Sequence, residues 1–478
     1  MTTLQHLAQS AMLGSSDDSL LVSAIQTGIA ELGGYVSATF AGENKACGAE
    51  SKPQMPEKAA GLLKRLVAGE FDGLLPEFLQ LTAERGYIVP PETLPALLGL
   101  GKNDLRKLVL PVIGERGRWL AAHNPAWAYA LGRDPLDGWE NGLKAERIAA
   151  LEQIRATEPE KACAWVQSSW EQDAPEDRAL FLGAFSIGLS MEDEPFLETC
   201  LDDKRKEVRD AARQLLIRLE NSRFVGRMWA RVKPLVQLKS KFLGGDSLEV
   251  SLPDGLDSDA KRDGLGSAPL RKKMGAKANL LAQMTATIPP ALWSREFNRP
   301  PEKILSSALN HEFKEALLLG WALAAQGARD AAWAEAILRL TASKAEVQNV
   351  FEPETLQELG MVLIPEQVQA IAQSSIKPIL NELKDDSPLL TILQGYRRPW
   401  TPGLARTVIQ SAQRQAGKGW RLAHALPEFA EWIPPELASE FGQGWPEEIS
   451  GVWSLMIEAF LQVLNFRNEI RKSLKEQP

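Results

Sequence analysis

Arginines recur every four residues in two runs, Arg205, Arg209, Arg213 and Arg223, Arg227, Arg231. On a helix that spacing places each run along one face. Guanidinium forks match phosphate and carboxylate geometry, so such a stripe is a candidate grip for a nucleic-acid backbone or an acidic protein partner. Residues 204–241 as a whole hold 12 basic residues against 3 acidic ones, a local charge of +9. The competing reading is that these side chains form a solvated outer face or pair with acidic neighbours. Only Phe224 and Trp229 interleave the basic residues, which is thin for stacking on single strands.

Other patterns hold less chemistry. The histidines His6, His123, His311 and His424 are singletons with no Cys or His at ligand spacing, so no metal site is expected. His123 reads as a packing or capping residue. Gly417-Lys418-Gly419 and Gly101-Lys102 lack the rest of a phosphate-binding loop, and no cofactor is expected. Ala184-Phe185-Ser186-Ile187-Gly188 approaches a nucleophile elbow, but inside a helical pattern. The acidic clusters Glu192-Asp193-Glu194 and Asp202-Asp203 suit helix starts, where carboxylates cap, better than an acid/base pair. The expectation is therefore a protein that is not an enzyme.

Periodicity of three and four residues dominates the chain, which predicts an all-α fold. Ile449, Val452, Trp453, Met456, Ile457, Phe460 and Val463 share one face of a C-terminal helix whose first turn would be Pro446-Glu447-Glu448. In 195–216 a helix, a tight turn and a second helix succeed one another, with Asp202 and Asp203 at the N-cap and Val208, Ala212, Leu215 and Leu219 on one face. Asp203, Val208, Arg209, Ala212 and Leu216 stand where a HEAT repeat has its turn aspartate, Val-Arg pair and spaced Ala and Leu, so this unit resembles one. Further helical hairpins are expected at 91–122, 145–189 and 302–340, and GERGRWLAAHNPAW (114–127) is echoed by GKGWRLAHALPEFAEW (417–432). The spacing is irregular, which predicts a HEAT-like α-solenoid of degenerate helical hairpins.

The pattern breaks near 240–275, a stretch rich in Gly, Asp, Ser and Lys, where Leu248, Val250 and Leu252 alternate as one short strand would. The expected organisation is an N-terminal helical-repeat domain over 1–239, a linker or inserted loop over 240–275, and a C-terminal helical-repeat domain over 276–478. A chain of 478 residues is too long for one ordinary core. The formal charge of −8 argues against a generally basic nucleic-acid coat. Cys47, Cys163 and Cys200 read as reduced thiols. No Lys or Arg precedes Lys45, so export is not expected, and Trp453–Phe466 falls short of the roughly 20 apolar residues that span a bilayer. These features place the chain in the cytoplasm and off the membrane. The 14 tryptophans, against 4 tyrosines, are spread as core anchors would be.

The phrases VPPETLPALLGLG (89–101), GERGRWLAAHNPAWAYAL (114–131), DEPFLETCLDDKRKEVRDAARQLL (193–216), RDGLG (262–266) and IPPALW (288–293) give the chain a resemblance to an uncharacterised bacterial family of helical proteins. The resemblance implies a family often encoded beside a MoxR-type AAA+ ATPase, a von Willebrand factor A protein and a SWIM zinc-finger protein. It further implies a scaffold or adaptor, with an AAA+ ATPase or von Willebrand factor A protein as partner, and assigns no active site. A nucleic-acid-binding helical repeat using the arginine stripes at 205–231 is the alternative.

Overall fold

The computed structural model of the chain describes residues 46–100, 103–132, 135–241, 245–266, 268–376, 383–449 and 451–476, together with 22, 25, 26 and 28. His6, Gly101 and Lys102 lie outside the described residues, as do 242–244 and 267 in the stretch 240–275. The chain divides into two compact units, Met1–Ala49 and Glu50–Pro478.

The second unit begins with α1 (Glu57–Val67), α2 (Leu75–Glu84), α3 (Leu94–Leu98), α4 (Asn103–Val109) and α5 (Gly114–Ala122). There follow α6 (Pro135–Asn141), α7 (Lys144–Arg155), α8 (Pro159–Ser169), α9 (Pro175–Ala184), α10 (Glu194–Cys200), α11 (Lys206–Leu216) and α12 (Arg223–Val232). A hairpin of β1 (Val236–Lys241) and β2 (Gly245–Val250) leads to α13 (Ser258–Arg262). Next come α14 (Ala276–Ala286), α15 (Ala291–Phe297), α16 (Pro301–Ala308), α17 (Lys314–Ala328), α18 (Ala331–Ser343), α19 (Ala345–Gln348), α20 (Pro353–Val362) and α21 (Pro365–Ser375). The last helices are α22 (Pro388–Gly395), α23 (Pro402–Gln415), α24 (Arg421–Ala430), α25 (Ala438–Phe441) and α26 (Val452–Ser473).

Eight of these helices begin on a proline, which is tolerated at the first helical position because that N–H has no intrahelical acceptor. Beyond α6 the helices pack in rows, of which α7, α9 and α11 form one. The rows α16, α18, α21, α23 and α14, α17, α20, α22, α24, α26 continue the pattern. Stacking of this kind is that of an α-solenoid. The fold is all-α, and among the described residues its only sheet is the antiparallel hairpin, with Val236 opposite Val250 and Leu238 opposite Leu248.

The apolar core of the stack runs from Trp139 to Leu464, with Trp293, Trp321 and Trp333 fully buried along it. A second core holds the N-terminal module, Met55 to Ala130, and is completed by Phe466, Ile470 and Leu474 from the far end of α26. The two ends of the described stack therefore share one core. Phe466 stacks on Phe71 at 4.6 Å, and the Arg65 guanidinium lies over its ring at 4.7 Å. Arg467, buried, donates to both carboxylate oxygens of Glu77 at 2.6 and 3.0 Å and to the carbonyls of Ala430 and Ile433. Arg471 adds a further bond to Glu77 at 2.9 Å.

Two expectations shift and a third holds. The C-terminal helix starts at Val452 rather than at Pro446, because Gly451, at φ +69°, breaks the helical path. Of its expected face, Trp453, Ile457 and Phe460 are buried, whereas Val452 is exposed. The N-cap of α11 is Arg205, not Asp202 or Asp203; Asp203 instead accepts the Arg205 backbone N–H at 2.8 Å. Val208, Ala212, Leu215 and Leu219 are all buried, as the repeat pattern requires.

Burial raises the Glu77 pKa, but the hydrogen bonds and charges of Arg467 and Arg471 outweigh it and hold the carboxyl below its ordinary 4.5. A carboxylate with a depressed folded pKa gives its full stabilisation above the unfolded value and loses it as pH falls through the folded one. Glu77→Gln should thus flatten the acid limb of a stability-against-pH curve below about pH 4.5. Arg467→Met should cost about 3–4 kcal/mol by urea denaturation at neutral pH, the lower part of the range for breaking a buried pair because Glu77 keeps Arg471.

Candidate interaction site

Acidic residues on α10 share the four-residue spacing of the arginines. Glu194, Glu198 and, just past the helix end, Asp202 face Arg223 and Arg227 of α12 and Arg262 of α13. Glu194 receives the Arg223 Nε at 2.9 Å and its Nη2 at 3.0 Å. Glu198 receives Arg227 at 2.6 Å and Arg262 at 3.0 Å, and Asp202 receives Arg262 at 2.6 and 2.8 Å. Asp263, with no exposed side-chain surface, takes two bonds from Arg227, at 2.9 and 3.0 Å, and lies 3.5 Å from Arg231. Arg231 also reaches Asp257 at 3.3 Å. The Arg223 bond holds the Glu194 carboxyl below the usual range, and the Arg262 bond does the same for Asp202.

The second arginine stripe is therefore one rail of an internal ladder. In the first, Arg205 stands at the turn before α11, exposed beside Lys204 and Lys206. Arg209 donates to the carbonyls of Asp203 and Lys204, at 2.7 and 2.9 Å. Arg213 pairs with Asp210 and lies flat against Gly264, where a Cβ would collide with its guanidinium. Gly264, at φ +94°, thus admits both the backbone turn and the arginine. The six residues are not brought together as one phosphate-binding stripe. Five of them hold intramolecular partners and Arg205 alone stays on the open turn.

The ladder also anchors the segment after α13. Gly266 donates its N–H to the Gln283 side chain, which in turn donates to the Ala268 carbonyl. Asn279, nearly buried on α14, accepts the Arg271 N–H at 3.0 Å and donates to the carbonyls of Arg271 and Met274 at 2.9 and 2.7 Å. Residues 268–275 are held as a clip against α14. Arg271 reaches on to the Asn349 carbonyl at 3.0 Å. Sequence reading missed Glu198, Asp263, Asn279 and Gln283. The matching spacing of Glu194, Glu198 and Asp202 with the arginines was the pattern that could have found the first rail.

The remaining chemical candidates resolve into structure. Ser186 lies in a turn wrapped around the buried Arg155, whose guanidinium donates to the carbonyls of Phe185, Ile187, Gly188 and Pro159 and to both oxygens of Asp193 at 2.7 and 2.8 Å. Asp193 also caps the Ser190 N–H. The Gly417-Lys418-Gly419 turn does cradle an anion, but it is the chain's own Asp385, which accepts the N–H groups of Trp420, Arg421 and Leu422 at 2.7 to 3.1 Å. His123 and His424 each bond the carbonyl four residues back, of Trp119 and Trp420, so the echo between 114–127 and 417–432 extends to side-chain geometry. Burial pushes the Cys163 thiol up to about 11 and the Cys200 thiol up to about 12. Among the described residues no group of three or more His, Cys, Asp or Glu side chains converges as a metal ion would need.

Asp263→Asn leaves Arg227 and Arg231 facing a buried neutral amide. It should lower the unfolding free energy by about 3–5 kcal/mol. Arg205→Ala, on the open turn, should stay within about 0.5 kcal/mol of the unaltered protein. Urea denaturation of both variants checks the contrast, and equal effects would contradict the ladder.

No curated protein and no solved structure matches the chain. A family match, by contrast, extends over residues 2–474, which is the whole of the stack and its closure. That span takes in the ladder, the clip and the shared terminal core, and it makes this chain a member of the family of unknown function DUF5691.

Proposed function

We propose that this protein is a non-enzymatic scaffold or adaptor that holds protein partners on the surface of its helical stack. The observation that carries the reading is how its ionisable groups are used. Asp193, Glu194, Glu198, Asp263, Asp385 and Glu77 all face intramolecular donors, so the carboxylates best placed for acid–base work are committed to joining helices. What the stack offers outward is an extended surface, the usual binding surface of solenoids. No helix among the described residues is long and apolar enough to cross a membrane.

The resemblance to a bacterial family encoded beside a MoxR-type AAA+ ATPase, a von Willebrand factor A protein and a SWIM zinc-finger protein makes the first two the partners we expect, in the cytoplasm. The nucleic-acid reading rests on Lys204, Arg205 and Lys206 at the turn before α11, since the other arginines of the stripes are held internally. Affinity purification of the tagged protein from its native host, with mass spectrometry, tests both readings. Recovery of an AAA+ or von Willebrand factor A protein is the expected result, and recovery of no protein above background would overturn the scaffold. Material released by nuclease and lost in a Lys204→Glu, Arg205→Glu, Lys206→Glu variant would favour nucleic acid.

A further inference from the structure

The N-terminal module keeps a core of its own. Among the described residues that core, Met55 to Ala130, is separate from the core of the stack and receives Phe466, Ile470 and Leu474 from α26. Around this contact the polar attachments are few and mostly exposed. Lys58 pairs with Glu476 at 2.7 Å, and the Tyr87 hydroxyl donates to the Glu476 carbonyl at 3.4 Å. Exposed pairs of this kind contribute little to holding two surfaces together. Phe71, whose ring stacks on Phe466, has φ +53°, a left-handed backbone that a bulky side chain adopts only where its surroundings enforce it. The closure is thus a narrow seam with strain on one side.

Two carboxylates meet at this seam and are served unequally. Glu77 of the module accepts hydrogen bonds from both Arg467 and Arg471. Glu431, at the end of α24, lies flat against Gly73 in the 72–74 turn of the module, where a Cβ would stand 2.7 Å from its Oε1 and 3.3 Å from its Oε2. It is half-buried and accepts no hydrogen bond from any described residue. Arg467 passes beside it but directs its hydrogen bonds to Glu77 and to the carbonyls of Ala430 and Ile433, on either side of Glu431. Glu428, on the same helix, adds a like charge, and Arg397, from the turn after α22, adds an opposite one without forming an ion pair among the described residues. Burial and the Glu428 charge raise the Glu431 carboxyl above its ordinary 4.5, against the pull of Arg397 and Arg467.

We propose that Glu431 makes the closure a proton-sensitive latch, loosened at neutral pH, where a carboxylate without donors presses on Gly73, and tightened in mild acid, where a neutral carboxyl takes its place. The inference goes beyond the scaffold reading and does not rest on it. A carboxyl whose folded pKa is raised favours the closed form below its unfolded value, and that contribution is lost as pH rises through the folded one. Glu77, held below its ordinary value, acts in the opposite sense, and its contribution is lost only as pH falls further. The closure is therefore firmest near pH 4.5, between the two, and on its loose side at neutrality. Loosening parts Phe466, Ile470 and Leu474 from the module core and bares both apolar faces.

Hydrogen exchange read by mass spectrometry on the full chain tests the latch, with the unaltered protein and Glu431→Gln compared at equal pH so that intrinsic exchange cancels. At about pH 7 the Gln variant should exchange about threefold or more slowly over 71–79 and 463–474, since one unit of pKa shift corresponds to about tenfold in the closing equilibrium. The difference should fade by about pH 4.5, where the unaltered carboxyl gains its proton, and residues 276–286 of α14 should exchange alike in both proteins throughout. Glu428→Gln, which removes the neighbouring like charge, should slow the seam in the same direction by less. Equal exchange of the two proteins at about pH 7, faster exchange in the Gln variant, a difference that persists unchanged in acid, or a change in α14 as large as at the seam would each overturn the proposal.

Discussion

Asp263 carries its charge in a position with no exposed side-chain surface, and the middle of the molecule is arranged around that constraint. A carboxylate stripped of water is tolerated only where donors replace the hydration it has lost. Arg227 of α12 and Arg262 supply those donors, with the Arg231 charge 3.5 Å away, and Arg262 ties the same turn back to Glu198 and Asp202 at the end of α10. Once Asp263 is fixed, Gly264 must lie on the Arg213 guanidinium and Gly266 must reach Gln283, which sets the start of the clip. Helices α10 to α14 are therefore registered by one buried charge as well as by apolar contact. Hydrophobic burial alone is non-directional and would leave the sliding of α12 along α10 weakly determined.

The closure of the molecule uses the same device at its other end. Glu77 lies between Arg467 and Arg471, with Arg467 also satisfying the carbonyls that α24 and the turn after it leave open. An open solenoid needs polar capping repeats because its terminal units expose the face that a neighbour would cover. Here Phe466, Ile470 and Leu474 of α26 enter the core of the N-terminal module, so the described ends cover each other. The ion pairs specify where they meet, while most of the stabilisation comes from the apolar residues around them.

The helical class, the stacked pairs and the buried face of α11 were legible because each depends on local periodicity, and Val208, Ala212, Leu215 and Leu219 repeat at helical spacing whatever surrounds them. The hairpin was half legible: Leu248 and Val250 alternate, but their partner strand begins inside a segment read for its charge, and pairing is not written in either strand alone. The start of α26 was misread because Pro446-Glu447-Glu448 is good first-turn chemistry, and Gly451, whose backbone turns the other way, overrides it. The role of the arginines was not legible, since a residue spacing says which side chains share a face and leaves open what that face meets. Its answer lay in carboxylates about 30 residues away in either direction, and only folding sets Glu194 beside Arg223 or Asp263 beside Arg227.

This separates two basic segments that look alike as strings of letters. The stretch 204–241 carries +9 by count, yet the ladder it contributes to sets four guanidiniums, Arg223, Arg227, Arg231 and Arg262, against five carboxylates, Glu194, Glu198, Asp202, Asp257 and Asp263. Much of its formal charge is neutralised inside the fold. The shorter clip has fewer basic residues, of which Arg271 faces Glu315 and Glu352 while Lys272 and Lys273 make no ion pair among the described residues. A charge that reaches solvent depends on what remains after internal pairing, and by that measure 204–241 presents outward Lys204, Arg205 and Lys206 rather than its second arginine stripe.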